Sequence, residues 1–153
     1  MVHIVRYGHD TSGGRSASVY WEGKSETLAS LPDSSKNVPL GILLLPPPVG
    51  EITFALGLWE DLNNRLGAWF DLAEDETIEP ETLLIAASTV ASFTERICAG
   101  DDVLKVKVGE RIQPDPGPII AEISSADLRK ELNRVREFFL DAASLGKAVT
   151  VSL

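Results

Sequence analysis

The chain has 153 residues, 44% of them apolar and 24% charged, which excludes a disordered or fibrous polymer and leads us to expect one globular domain over 1–153. Its one cysteine, Cys98, excludes an internal disulfide framework, and the opening MVHIVRYGHD lacks the basic and apolar stretches of a secretory signal, so a cytoplasmic setting is expected. The net charge of −9 is concentrated: Glu51 to Asp102 holds 12 acidic residues against Arg65 and Arg96, a net of −10, which disfavours nucleic acid and anionic membrane as partners of that surface.

Val2 to Tyr7 is β-branched and aromatic and predicts a strand; the turn formers GHDTSGGR follow it. Ser16 to Leu31 predicts a hairpin turning at Gly23-Lys24, and Leu31 to Asn37 a loop. Leu40 to Leu45 is a short apolar run, read as a buried strand that Pro46, Pro47 and Pro48 terminate. The run from Pro39 to Trp59 is therefore too broken to span a bilayer, which needs about 20 consecutive apolar residues.

Past the prolines, Ile52, Phe54 and Leu56 alternate as a strand would. Ile52, Leu56, Trp59, Leu62, Leu66, Trp69 and Phe70 also fit one helical face, and an interior glycine costs only about 1 kcal/mol, so one helix over Glu51 to Asp71 is expected despite Gly57. Asp71 to Glu81 reads as an acidic connector, with Pro80 in the first turn of the next helix. On that helix Leu83, Leu84, Ala87, Val90, Ala91, Phe93, Ile97 and Cys98 cover a wide arc, which marks it as the most buried.

Leu104, Val106 and Val108 alternate with Lys105 and Lys107 in a half-buried strand, and a turn at Pro114 to Pro118 leads to a further strand, IIAEI. A helix capped by Ser124 or Ser125 follows, with Asp127 in its first turn, a stripe of Leu128, Leu132, Val135, Phe138, Phe139, Ala142 and Leu145, and Gly146 past its end. Its Arg129, Lys130, Arg134 and Arg136 interleave with Asp127, Glu131, Glu137 and Asp141, which reads as a salt-bridged outer face and not as a nucleic-acid surface. KAVTVSL reads as a closing strand. The order implies an α+β fold: a mixed or antiparallel sheet of about five to six strands with three helices packed mainly on one face.

Two segments carry candidate chemistry. Asp71, Glu74, Asp75, Glu76, Glu79 and Glu81 put six carboxylates within eleven residues, a field that steers a basic protein; the plain alternative is a solvated loop. An EF-hand register started at Asp71 fails at Ala73, Glu76 and Thr82. Tyr20 and Trp21 are adjacent on a strand and face opposite sides, so one of them is offered to a partner. In the Gly8 to Arg15 loop, His9, Asp10 and Ser12 supply a base, an acid and a hydroxyl, although Gly-, Ser- and Asp-rich loops are commonly plain turns. His3, His9 and Asp10 give no zinc spacing, Cys98 reads as core, and neither metal nor cofactor is expected.

The leading expectation is a non-catalytic, acidic cytosolic binder of a protein partner, basic in charge: an inhibitor, an immunity-type protein or an adaptor. The alternatives are a small enzyme or ligand-binding domain using the His9 loop, and an obligate homo-oligomer, a homodimer in its simplest form, joined through the Tyr20–Trp21 strand edge.

Overall fold

The computed structural model describes residues 1–9, 17–21, 41–70, 75–100 and 102–153. It is an α+β fold in which, among the described residues, seven strands form two sheets. The strands are β1 (His3–Arg6), β2 (Ala17–Trp21), β3 (Ile42–Leu45), β4 (Glu76–Ile78), β5 (Val103–Arg111), β6 (Gly117–Ser124) and β7 (Val149–Ser152). The helices are α1 (Val49–Ala55), α2 (Leu58–Leu66), α3 (Leu83–Ile97) and α4 (Ser125–Ser144), and a single 3-10 turn, Pro80–Thr82, leads into α3.

The single sheet expected from the element order is instead split. One sheet is mixed, in the order β1-β6-β5, with β1 parallel and β5 antiparallel to β6. The other is wholly antiparallel, in the order β3-β2-β7-β4. Alternation tells which side chains of a strand share a face but not which strand lies beside it, so partnership is decided by packing. β2 pairs with β3 on one side and β7 on the other, so the strand carrying Tyr20 and Trp21 has no free edge, contrary to the edge-pairing route to an oligomer. The second arm of the expected hairpin and the loop that follows it lie outside the described residues.

The expected helix over Glu51 to Asp71 is two helices, which raises the helix count from three to four. The break is Gly57, whose φ of +94° lies in the left-handed region open to glycine at little cost. Leu56 still donates to the Ile52 carbonyl at 2.9 Å, whereas Gly57 closes on Phe54 at 3.2 Å and the ladder restarts with Asp61 donating to Gly57 at 3.0 Å. The change of direction lets Ile52, Leu58, Trp59 and Leu62 all bury completely. α2 then ends at Leu66, and Trp69, expected on the core stripe, is 82% exposed while Phe70 alone returns to the interior.

The core is one contiguous cluster drawn from both sheets and all four helices. Val19, Leu43, Leu45, Ile78, Val149 and Val151 line the inner face of the antiparallel sheet; Ala121 and Ile123 come from β6. α3 contributes Leu83, Ala86, Ala87, Val90 and Phe93, a narrower stripe than the expected arc, since Leu84 is 62% exposed. α4 begins as expected, with the Ser124 hydroxyl accepting the Asp127 amide at 3.1 Å, and it packs along α3. Arg129 fastens the two, donating to the Cys98 carbonyl at the end of α3 at 2.7 Å and to Glu95 at 3.1 Å; a cation there also suits the negative end of the helix dipole. Among the described residues no helix is long and apolar enough to cross a membrane.

A Cβ added at Gly57 would meet nothing within 4 Å, so Gly57→Ala isolates the backbone cost. The substitution is expected to lower unfolding stability by about 1 to 2 kcal/mol, read as a lower urea midpoint with an unchanged m-value. An unchanged midpoint would show that the left-handed break is not required.

Candidate functional site

The acidic connector is part strand. Glu76–Ile78 forms β4, which among the described residues pairs only with β7, and its alternation sorts the side chains. Ile78 enters the core, Glu76 lies half-buried opposite Val151, and Thr77 faces outward with its hydroxyl 3.2 Å from that of Thr150. Tyr20 of β2 is opposite Thr150 on the same outer face, and its phenol donates to the Asp75 carboxylate at 3.5 Å. The sheet thus brings together two of the residues singled out in the sequence, 55 positions apart. Burial pushes the Tyr20 phenol above its ordinary pKa, the Asp75 charge and hydrogen bond add to that, and a hydrogen bond from Thr150 opposes it.

Elsewhere some carboxylates are tied: Asp61 to Arg96, Glu95 to Arg129, Glu110 to Lys107, Glu131 to Arg134, Glu137 to Arg136, and Glu122 to both Arg6 and Lys105 across the three-stranded sheet, whereas the exposed Glu60, Asp102, Asp115 and Asp141 form no ion pair with a described residue. Asp75, Glu79 and Glu81 are exposed, and neither they nor Glu76 form an ion pair with any described residue. Asp71, Glu74 and the side chain of Trp21 lie outside the described residues.

The His9 loop is described only at its start. The His9 amide donates to Arg6 at 3.3 Å, its ring is exposed and makes no hydrogen bond to a described residue, and Asp10 and Ser12 lie outside the described residues. His3 is engaged elsewhere, its Nε2 2.6 Å from the Asp115 carbonyl and its Nδ1 3.3 Å from the Arg111 guanidinium. Among the described residues no group of three or more His, Cys, Asp or Glu is placed to hold a metal ion. Cys98 is buried, and burial raises its thiol pKa against the opposing charge of Arg129, which suits an unreactive core thiol.

One group in this region escaped the reading of the sequence. Glu131, assigned to the outer face of α4, is 2% exposed and receives the Tyr7 phenol at 2.6 Å and the Arg134 guanidinium at 2.7 Å. Its spacing carried the signal: Glu131 is three residues after Leu128 and four before Val135, on the buried stripe itself. Both carboxylate oxygens are satisfied, which is the condition for keeping a charge in the interior, and the contact ties the end of β1 to α4. The hydrogen bond to Glu131, with burial second and Arg134 opposing, pushes the Tyr7 phenol up to about 12.

No protein-family model matches the chain, and no curated protein and no solved structure is significantly similar to it. The functional reading therefore rests on geometry and charge.

Tyr7 and Tyr20 are the only tyrosines, so Tyr20→Phe isolates Tyr7. Its phenolate absorbance is expected to appear with a midpoint of about 12 in the folded protein, against 10.0 for an unperturbed phenol. Glu131→Gln should bring that midpoint down. Because the folded state holds the proton more tightly, the Tyr7 contribution to stability is complete below pH 10 and is lost as pH rises toward 12. A midpoint near 10 in the Tyr20→Phe protein would contradict the contact.

Proposed function

We propose that the protein is a non-catalytic binder of a basic protein partner, acting in the cytosol as an inhibitor, immunity-type protein or adaptor. Its docking surface is the acidic edge around β4, with Tyr20 beside it. The observation that supports this reading is the local concentration of uncompensated charge: Asp75, Glu79 and Glu81 stand in solvent within seven residues without an ion-pair partner among the described residues, whereas the other unpaired exposed acids, Glu60, Asp102, Asp115 and Asp141, are scattered along the chain. Paired surface charges have nearly exhausted their field, and unpaired ones steer an oppositely charged partner and raise its association rate. Tyr20 adds an aromatic ring with a polar tip, a side chain enriched at interfaces. The cytosolic setting is supported by the lone, buried thiol.

A second reading, a small enzyme or ligand-binding domain built on the Gly8 to Arg15 loop, is favoured by one observation, the buried Glu131 held by Tyr7 where β1 enters that loop. Buried carboxylates with shifted neighbours are enriched at functional sites. In the structure, however, both oxygens of Glu131 are already occupied by protein donors, so the acidic edge is the better-supported surface.

Photo-crosslinkers placed at positions 75 and 79, with position 126 on the exposed side of α4 as control, test the binder reading in the source cell. A discrete protein adduct is expected from 75 and 79, absent from 126. With the crosslinker at 79, Asp75→Lys combined with Glu76→Lys should abolish that adduct. Equal labelling from all three positions, or an adduct indifferent to charge reversal, would remove the acidic edge from the account.

A further inference from the structure

Leu84 is 62% exposed, and helical periodicity fixes the direction in which it points. Leu84, Ala91 and Glu95 are spaced by seven and then four residues, so they share one flank of α3 over about three turns. Arg129 of α4 donates to Glu95, which makes that flank the one beside α4. The two helices are antiparallel, because Arg129, near the start of α4, also donates to the Cys98 carbonyl at the end of α3. Leu84 stands eleven residues before Glu95, and Leu140 stands eleven residues after Arg129, so the packing brings Leu84 and Leu140 level across the seam. Leu140 is half-buried against the core whereas Leu84 is not. Between this pair and the Glu95–Arg129 pair, α3 turns only the small Ser88 and Ala91 toward the seam, which leaves it open at the Leu84 end.

Charge selects the occupant. Glu81 precedes Leu84 by one turn, and the Glu79 carbonyl accepts the Thr82 amide at 3.0 Å, so both acids are held on the backbone that leads into this end of α3. Both are exposed and form no ion pair with a described residue. On the α4 side Arg136, one turn before Leu140, is bonded to Glu137 at 3.2 Å, so the uncompensated charge at the open end is negative. Anionic surfaces are repelled there, and an apolar stripe flanked by cations is complementary in both shape and charge. We infer that the open end of the α3–α4 seam receives a basic amphipathic helix of the partner protein, its apolar stripe on Leu84 and Leu140 and its lysine or arginine side chains on Glu79 and Glu81. This deepens the acidic-edge reading and rests on it, extending that edge from β4 onto α3.

The probe is a labelled synthetic amphipathic peptide of lysine and leucine, with a glutamate and leucine peptide of the same pattern as control. Each is titrated against the full chain and followed by anisotropy, stopped flow and backbone amide shifts. The lysine peptide is expected to bind and to shift amides of 79–92 and 133–144, and the glutamate peptide to do neither. Leu84→Gln should weaken the lysine peptide at least tenfold through the dissociation rate, with Leu84→Met retaining most of the affinity. Glu79→Lys with Glu81→Lys should lower the association rate and its salt dependence. Leu84→Gln binding like wild type, or amide shifts confined to other elements, would overturn the seam; a charge reversal that still weakens binding would then leave the acidic-edge reading standing. Leu84→Gln weakened with the charge reversal silent would overturn that reading and the basic occupant with it. Equal binding of the two peptides, or no binding of the lysine peptide, would overturn the inference. Thermal unfolding of each variant controls for folding, with an unchanged midpoint expected for the exposed Leu84, and the amide map locates the peptide on wild type without any substitution.

Discussion

Among the described residues the two sheets share no backbone ladder, and what joins them is the apolar interior between them, above all the packing of α4 along α3. Leu128, Leu132, Val135 and Phe139 are each 0 to 1% exposed, as are Leu83, Val90 and Phe93 on the facing helix. Burial of each such side chain is worth about 1.5 to 3 kcal/mol relative to exposure. The polar fastenings at the helix ends, Arg129 on Cys98 and Ser125 on the Gly100 carbonyl, fix the register of this contact more than its strength.

Given that scaffold, the ion pairs are secondary as stabilisers. An exposed pair contributes about 0 to 1 kcal/mol, and the pairs of Asp61, Glu95, Glu110 and Glu137 are of that kind. Around β4, Asp75 and Glu79 flank a three-residue strand and form no ion pair with a described residue. Acids flanking a short strand discourage unwanted strand pairing.

Glu131 and Trp69 invert ordinary expectation, one a charged group inside and the other an indole outside. Each is held by named neighbours: Tyr7 and Arg134 supply both donors the carboxylate needs, and Asn63 with Phe70 pins the turn that displays the indole. Losing a donor would leave part of a buried charge unsatisfied, so the Glu131 contact is a rigid tie between β1 and α4.

Local pattern sufficed for elements whose partners are their own residues. The capped helix α4, the alternating strand β5, the closing strand β7, the proline stop after Leu45 and the core thiol were legible, because capping, alternation and missing amides act within a few residues. Of the candidate site, the concentration of acid was legible and its geometry was not. That Asp75 meets Tyr20, that Glu79 and Glu81 go unmatched while Glu95 and Asp61 are paired, and that β4 exists at all depend on β7 lying between β2 and β4. The break at Gly57 likewise followed from burial, since two short helices bury Ile52, Leu58, Trp59 and Leu62 together. The sequence by itself determined the α+β class, most element boundaries and the acidic middle third; tertiary structure alone decided the two sheets, the inward Glu131 and the outward Trp69, because strand partnership and which side chain wins a core position are set by contacts between distant segments.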